Sequence, residues 1–124
     1  MRRMAMLVGM MALMVAMFAP MALAIDKQCT TRPCEGTAER DTLYERGGRD
    51  VPDIIYGLRG SDRIRADIFG ADRDVIYGGR GNDRLNAQDG DGRDVLYGGP
   101  GEDICYVDEN DSYVGCEEVA LVIE

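Results

Sequence analysis

Seven times between residues 41 and 105 an aspartate stands two residues before an aliphatic or cysteine side chain. The copies are Asp41-Thr-Leu43, Asp53-Ile-Ile55, Asp62-Arg-Ile64, Asp74-Val-Ile76, Asp83-Arg-Leu85, Asp94-Val-Leu96 and Asp103-Ile-Cys105. Their spacings are 12, 9, 12, 9, 11 and 9 residues. Two interleaved series result: Asp41, Asp62, Asp83 and Asp103 step by 21, 21 and 20, and Asp53, Asp74 and Asp94 by 21 and 20. A period of this length constrains the fold severely. A unit of about 20 residues cannot bury a core alone, so it must stack on its neighbours as a coil of a solenoid.

Each aspartate closes a turn. The first series follows GTAERD (36–41), GLRGSD (57–62), GGRGND (78–83) and GGPGED (98–103); the second follows GRDVPD (48–53), FGADRD (69–74) and DGDGRD (89–94). Each turn leads into a strand of three or four residues, so one coil holds two turns and two short strands. Stacked coils give two parallel sheets. Strand alternation points Leu43, Ile64, Leu85 and Cys105 inward from one sheet and Ile55, Ile76 and Leu96 inward from the other.

GGRGNDRLN and GGPGEDICY, with GLRGSDRIR short of its second glycine, resemble the nine-residue G-G-x-G-x-D repeat of the RTX, or hemolysin-type, calcium-binding family. The resemblance covers residues 36 to 106, with Cys105 at an aliphatic position. It implies an all-β fold, a right-handed parallel β-roll or β-solenoid, with Ca2+ ions in the turns. The alternate turns are longer and poorer in glycine, so they depart from the pattern.

Glycine lets such a turn fold tightly enough to aim its carbonyls at a common centre. Calcium takes six to eight oxygen ligands, carboxylate and carbonyl together. One turn offers too few, so an ion is expected between turns one coil apart. Asp62 with Asp83, and Asp83 with Asp103, are the expected pairs, in turns built on Gly57, Gly60, Gly78, Gly79, Gly81, Gly98, Gly99 and Gly101. Asp41 with Asp62 is a weaker pair, because GTAERD lacks the inner glycine. On the other side Asp53, Asp72, Asp74, Asp91 and Asp94 are expected to form looser sites. A metal-free solenoid would use the same residues for turn chemistry alone. Stacked aspartates about 5 Å apart would then repel one another. An EF-hand starting at Asp89 fails, since its twelfth position is Pro100 rather than Glu.

The N-terminus has a different character. All eight methionines lie at or before Met21, and Arg2-Arg3 precede an uncharged run from Met4 to Ile25 ending near Ala22-Leu23-Ala24. This is the order of a secretory signal peptide, residues 1–24, with cleavage after Ala24. The run is also long enough to serve as a retained membrane anchor. Residues 25 to 124 carry 12 basic against 23 acidic side chains, a net charge of −11. That balance disfavours nucleic acid and anionic membrane surfaces as partners, and no apolar segment after residue 25 suggests membrane insertion.

Four cysteines in an exported chain read as disulfides, and proximity favours Cys29–Cys34 and Cys105–Cys116 among the three pairings. Zinc is disfavoured by the spacing and by the absence of histidine. Residues 25–35 are expected to cap one end of the roll (36–106). Residues 107–124 are expected to cap the other, through a strand at Ser112–Val114 and another at Val119–Ile123.

Outward rows separate the two sheets. One shows Arg63, Arg65, Arg84 and Asn86; the other shows Ile54, Val75 and Val95 beside Tyr56, Tyr77 and Tyr97. The tyrosine row is either ordinary strand packing or a contact surface for a cell-surface partner, a second copy or a glycan. Catalysis is not expected: without histidine no Ser–His or Cys–His pair exists, and neither Ser61 nor Ser112 sits in a nucleophile motif. The expected function is an exported protein that binds calcium ions and folds around them. The alternative is a structural or adhesive module using the tyrosine face, with calcium only a staple.

Overall fold

The computed structural model describes residues 23–30, 32–45, 53–66, 72–90 and 93–122. Asp91 and residues 1–22 of the expected signal peptide lie outside them, as does Ile123. The described residues contain no helix. Eleven strands run in order: β1 (Asp26–Cys29), β2 (Cys34–Glu35), β3 (Thr42–Glu45), β4 (Ile54–Tyr56), β5 (Arg63–Arg65), β6 (Val75–Tyr77), β7 (Arg84–Asn86), β8 (Val95–Tyr97), β9 (Ile104–Asp108), β10 (Ser112–Val114) and β11 (Glu118–Val122). Odd-numbered strands form a six-stranded sheet, β1-β3-β5-β7-β9-β11. Even-numbered strands form a five-stranded sheet, β10-β8-β6-β4-β2. Every pairing is parallel. This is a β-solenoid.

The register follows the sequence period. Leu43 pairs with Ile64, Ile64 with Leu85 and Leu85 with Cys105. Ile55, Ile76 and Leu96 pair likewise in the other sheet. Strands β3 to β9 each place one of these seven side chains inward, and all seven are at most 2% exposed. Each buried Leu or Ile is worth roughly 1.5–3 kcal/mol, so the core is a stack of small, equal contributions. Ile76→Ala, at its centre, would cost about 2–5 kcal/mol.

Hydrogen bonds continue the ladder beyond the strands into the turns. Gly57 N–H donates to Tyr77 C=O and Gly78 N–H to Tyr97 C=O, both at 2.8 Å. At the N-terminal end β1 pairs with β3 and β2 with β4, and a Cys29–Cys34 disulfide closes that coil. At the other end β10 adds to β8 and β11 to β9, and Cys105 is bonded to Cys116. The covering strand begins at Glu118, one residue before its expected start.

Candidate metal centre

The glycine-rich turns lie along one edge of the solenoid, each just before a strand of the six-stranded sheet. There the aspartates of the first series form a ladder. The N–H of Asp41 donates to Oδ1 of Asp62 at 2.7 Å. Asp62 N–H donates to Oδ1 of Asp83, and Asp83 N–H to Oδ1 of Asp103, both at 2.8 Å. Asp62, Asp83 and Asp103 are at most 1% exposed. Their second oxygens, Oδ2, have no hydrogen-bond partner. A buried carboxylate oxygen without a partner is costly, so these three atoms mark a need for positive charge.

The space around each Oδ2 is shaped by glycine. A Cβ on Gly57 would lie 2.6 Å from Asp62 Oδ2 and 2.5 Å from the carbonyl oxygen of Gly78 in the next coil. At Gly78 the corresponding neighbours are Asp83 Oδ2 at 2.6 Å and Gly98 O at 2.8 Å. At Gly98 they are Asp103 Oδ2 at 2.7 Å and Gly115 O at 2.2 Å. Every rung thus turns a carboxylate oxygen and a backbone carbonyl towards one small space. That mixed set of hard oxygen donors is the kind calcium takes, so these residues fit the ion.

The inner glycines serve a different requirement. Gly79 and Gly81 have φ of 93° and 125°, and a Cβ on either would lie 2.0 Å from a carbonyl oxygen of the preceding coil, Leu58 O or Gly60 O. Gly99 and Gly101 repeat the arrangement over Gly79 and Gly81. Gly60 stacks over Glu39 in the same way. Leu58, where the repeat lacks its second glycine, holds a φ of 79° with an L side chain. The departure in sequence leaves the turn conformation unchanged and adds local strain.

Asp41 differs from its successors. Thr37 donates to its carboxylate from both the backbone N–H and Oγ1, and the Ile25 N–H donates to Oδ1 at 2.8 Å. Thr37 stands at the turn's second position, and its hydroxyl supplies what a cation would. At the far end the ladder closes on Glu117, whose Oε2 accepts the Asp103 N–H at 2.7 Å.

The longer turns on the opposite edge carry a second ladder. Asp53 N–H donates to Asp74 Oδ1 at 2.9 Å, Asp74 N–H to Asp94 Oδ1 at 2.8 Å, and Asp94 N–H to Asp111 Oδ1 at 2.9 Å. Oδ2 of Asp74 and of Asp94 has no hydrogen-bond partner. Asp72, Asp74 and Asp89 bring one carboxylate oxygen each within 4.8 Å of one another. Asp53 is on this ladder, but its carboxylate is ion-paired with Arg32.

Electrostatics agree on both edges. Burial, with the like charges of Asp83 and Asp41, pushes Asp62 up to about 7, against the opposing hydrogen bond from Asp41. Burial and Asp103 push Asp83 up to about 6. Asp103 is also raised, by burial and then Glu117. On the long-turn edge burial and neighbouring carboxylates push Asp74 up to about 7 and Asp94 up to about 9. Glu45 rises to about 9 through burial, a hydrogen bond with Asp53 and the charges of Asp74, Asp53 and Asp72. Ionising these carboxyls costs more than it does in water, and a nearby cation would offset that cost.

The family model of the RTX calcium-binding nonapeptide repeat, a unit of four copies, matches residues 47–68, 70–91 and 86–114. The chain belongs to the RTX calcium-binding repeat family. No curated protein and no solved structure matches it. RTX repeats supply the calcium-binding function of this protein, and the β-solenoid is the scaffold that stacks them. The tyrosines that follow the long RTX turns form a stack, with Tyr56 and Tyr77 centroids 4.9 Å apart and Tyr77 and Tyr97 4.8 Å apart. Their ring faces are spent largely on each other.

Asp89, Asp111, Glu45, Glu117 and Thr37 complete the two edges without being prominent in the repeat. Asp89 stands where the glycine turns have their first glycine. Glu117 and Asp111 follow their ladder partners by 14 and 17 residues, off the repeat step. The signal available in sequence is that each ladder must end on an acceptor, and an acidic residue sits near each exit.

Proposed function

We propose that the protein is exported and that its β-solenoid closes around Ca2+ ions shared between successive glycine/aspartate turns. Asp62, Asp83 and Asp103 hold the ions with carbonyl oxygens of the stacked turns, and the glycines keep that space open. Asp72, Asp74 and Asp94 hold a second, carboxylate-richer group on the long-turn edge, with Asp89 beside them and Asp91 from the same turn. The bound ion supplies the positive charge that the buried oxygens lack. Residues 1–24 act as the export signal, 25–35 and 107–124 as caps, and the two disulfides suit an oxidising compartment. The protein has no catalytic role in this reading.

One observation carries it: three buried Oδ2 atoms, each without a hydrogen bond, each beside a carbonyl from the next coil. Unneutralised carboxylates one strand spacing apart repel by roughly 3 kcal/mol per pair at an effective dielectric constant of about 20. That rivals a small domain's whole stability of about 5–10 kcal/mol. Extracellular calcium sites have Kd values of about 0.1–1 mM, and a site at ten times its Kd adds about 1.4 kcal/mol. The test is a calcium titration of residues 25–124 followed by circular dichroism and thermal melting. A β-spectrum and melting midpoint that rise together with calcium are expected. Identical curves in chelator and in millimolar calcium would sink the proposal.

A further inference from the structure

The register of the six-stranded sheet aligns side chains that are far apart in sequence. Tyr44 pairs with Arg65, Arg65 with Asn86 and Asn86 with Tyr106, one row across β3, β5, β7 and β9. In the parallel row Arg63 pairs with Arg84. These six residues, with Asp26 and Thr42 at the β1 end, line one open groove of about 530 Å³ on the outward face. Arg63, Arg65 and Arg84 are exposed, and the two tyrosines and Asn86 are half-buried.

Among the described residues, none of the three arginine side chains has an ion-pair or hydrogen-bond partner, and neither tyrosine side chain has a ring contact or a hydrogen bond. Asn86 accepts the Gln88 N–H on Oδ1 at 2.9 Å, which engages its acceptor and not its amide donors. Like charges directly opposite on paired strands are destabilising, yet Arg63 and Arg84 stand opposite in a strongly acidic chain. The contrast with the other sheet is plain. There the tyrosines stack on one another; here Tyr44 and Tyr106 are separated by Arg65 and Asn86, and their rings remain free to receive a planar or saturated ring.

We propose that this groove binds a linear acidic oligosaccharide, one bearing sulfate or carboxylate groups on its sugar rings. The rings of Tyr44 and Tyr106, three strand spacings or about 14 Å apart, form the two stacking ends. Arg63, Arg65 and Arg84 between them pair with the anionic groups, as guanidinium forks suit sulfate and carboxylate. The Asn86 amide donates to a hydroxyl or ring oxygen. Asp26 and Glu118 occupy the outward row at the two ends of the sheet. Asp26 lines the β1 end of the groove and Glu118 lies past the other end, so both repel anionic groups there, and the site suits a short charged segment better than a long, uniformly charged polymer. None of the ladder aspartates lines the groove, but Arg63 and Arg84 also border the cavity beside Asp62, Asp83 and Asp103, so calcium-dependent folding must be read alongside ligand binding.

The test is isothermal titration of the full chain, in calcium, with a sulfated dextran oligomer and with unsulfated dextran of equal length. The sulfated oligomer should bind, with affinity falling as salt rises. Arg63→Ser with Arg84→Ser should weaken it about 100-fold, about tenfold for each charged hydrogen-bonding partner lost. Tyr106→Ser should weaken it several-fold. Both variants alter surface side chains, and their calcium-dependent circular dichroism should match the parent, which separates loss of the groove from failure of calcium-driven folding. Equal binding of unsulfated dextran, unchanged affinity in the double-arginine variant, or equally tight binding of a single-stranded DNA oligomer of matched charge would each overturn the proposal.

Discussion

The backbone N–H of Asp62 donates to Oδ1 of Asp83, 21 residues later, at 2.8 Å, while the other oxygen of Asp83 makes no hydrogen bond. One carboxylate therefore does two jobs. Oδ1 fastens coil to coil, and Oδ2 is the atom that the proposed ion would take. The division predicts opposite effects of one substitution in two conditions. In Asp83→Asn the carbonyl oxygen can still accept the Asp62 N–H, and the new amide faces the Gly98 carbonyl across the space beside Gly78. In calcium-free buffer at pH 8 the variant should match or exceed the parent in thermal midpoint, because a buried charge is gone. In millimolar calcium it should lose most of the calcium-induced rise. A variant equally destabilised in both conditions would show that Asp83 only shapes the turn.

The same ladder sets the pH dependence. Folded Asp62 titrates at about 7, above its unfolded value of 3.8, and Asp83 at about 6. The folded chain thus holds protons more tightly than the unfolded chain. This contribution to stability is fully present below about pH 4 and is lost as pH rises through 6 to 7. Without calcium, the urea midpoint should fall between pH 5 and pH 8. Calcium needs the ionised form, so with the ion present the fall over that interval should be clearly shallower. Parallel slopes in the two buffers would contradict the assignment of Asp62 and Asp83 to the ion.

Glycine positions should not be equivalent. Gly81 combines a φ of 125° with a carbonyl 2.0 Å from any added Cβ, whereas Gly90 has a φ of 94° and open space. Gly81→Ala should cost about 3 kcal/mol or more, from strain and overpacking together. Gly90→Ala should cost only the conformational part, about 1–2 kcal/mol. Urea denaturation in calcium measures both, and equal losses would show that stacking in the glycine turns is looser than described.

Leu58 offers the reverse experiment. It is 44% exposed and carries a φ of 79°, so its side chain contributes little packing while its backbone is strained. Leu58→Gly should raise stability by up to ~1 kcal/mol, the relief of strain being offset in part by the freer unfolded chain. A fall in the urea midpoint would mean that the leucine side chain makes a contact of value.

These residues also show what was legible in advance. The Asp-x-aliphatic period sets strand register because inward positions must stack every 20 or 21 residues, and Leu43, Ile64, Leu85 and Cys105 do so. The ladder hydrogen bonds were not legible. They depend on which carboxylate oxygen meets a backbone N–H one coil away, a matter of side-chain rotation that spacing does not encode. Nor was the Tyr44-Arg65-Asn86-Tyr106 row apparent from β5 and β7 alone. Its tyrosines come from the flanking strands, where the glycine-turn pattern has weakened or is ending.

Thr37 gives the clearest test of whether an ion replaces hydrogen bonds. Its N–H and Oγ1 both serve Asp41, the one aspartate of this ladder whose two oxygens are both partnered. Thr37→Val keeps the shape and removes the hydroxyl, leaving the buried carboxylate short of a donor at a cost of about 1–3 kcal/mol. Because Asp41 is served by protein groups, this loss should appear equally with and without calcium. Asp83→Asn should instead show its loss only with the ion. Comparing urea midpoints of both variants in the two buffers separates the protein-capped end of the ladder from its ion-binding middle. A Thr37→Val defect repaired by millimolar calcium would place an ion at Asp41 too, and would extend the metal-binding edge to the first coil.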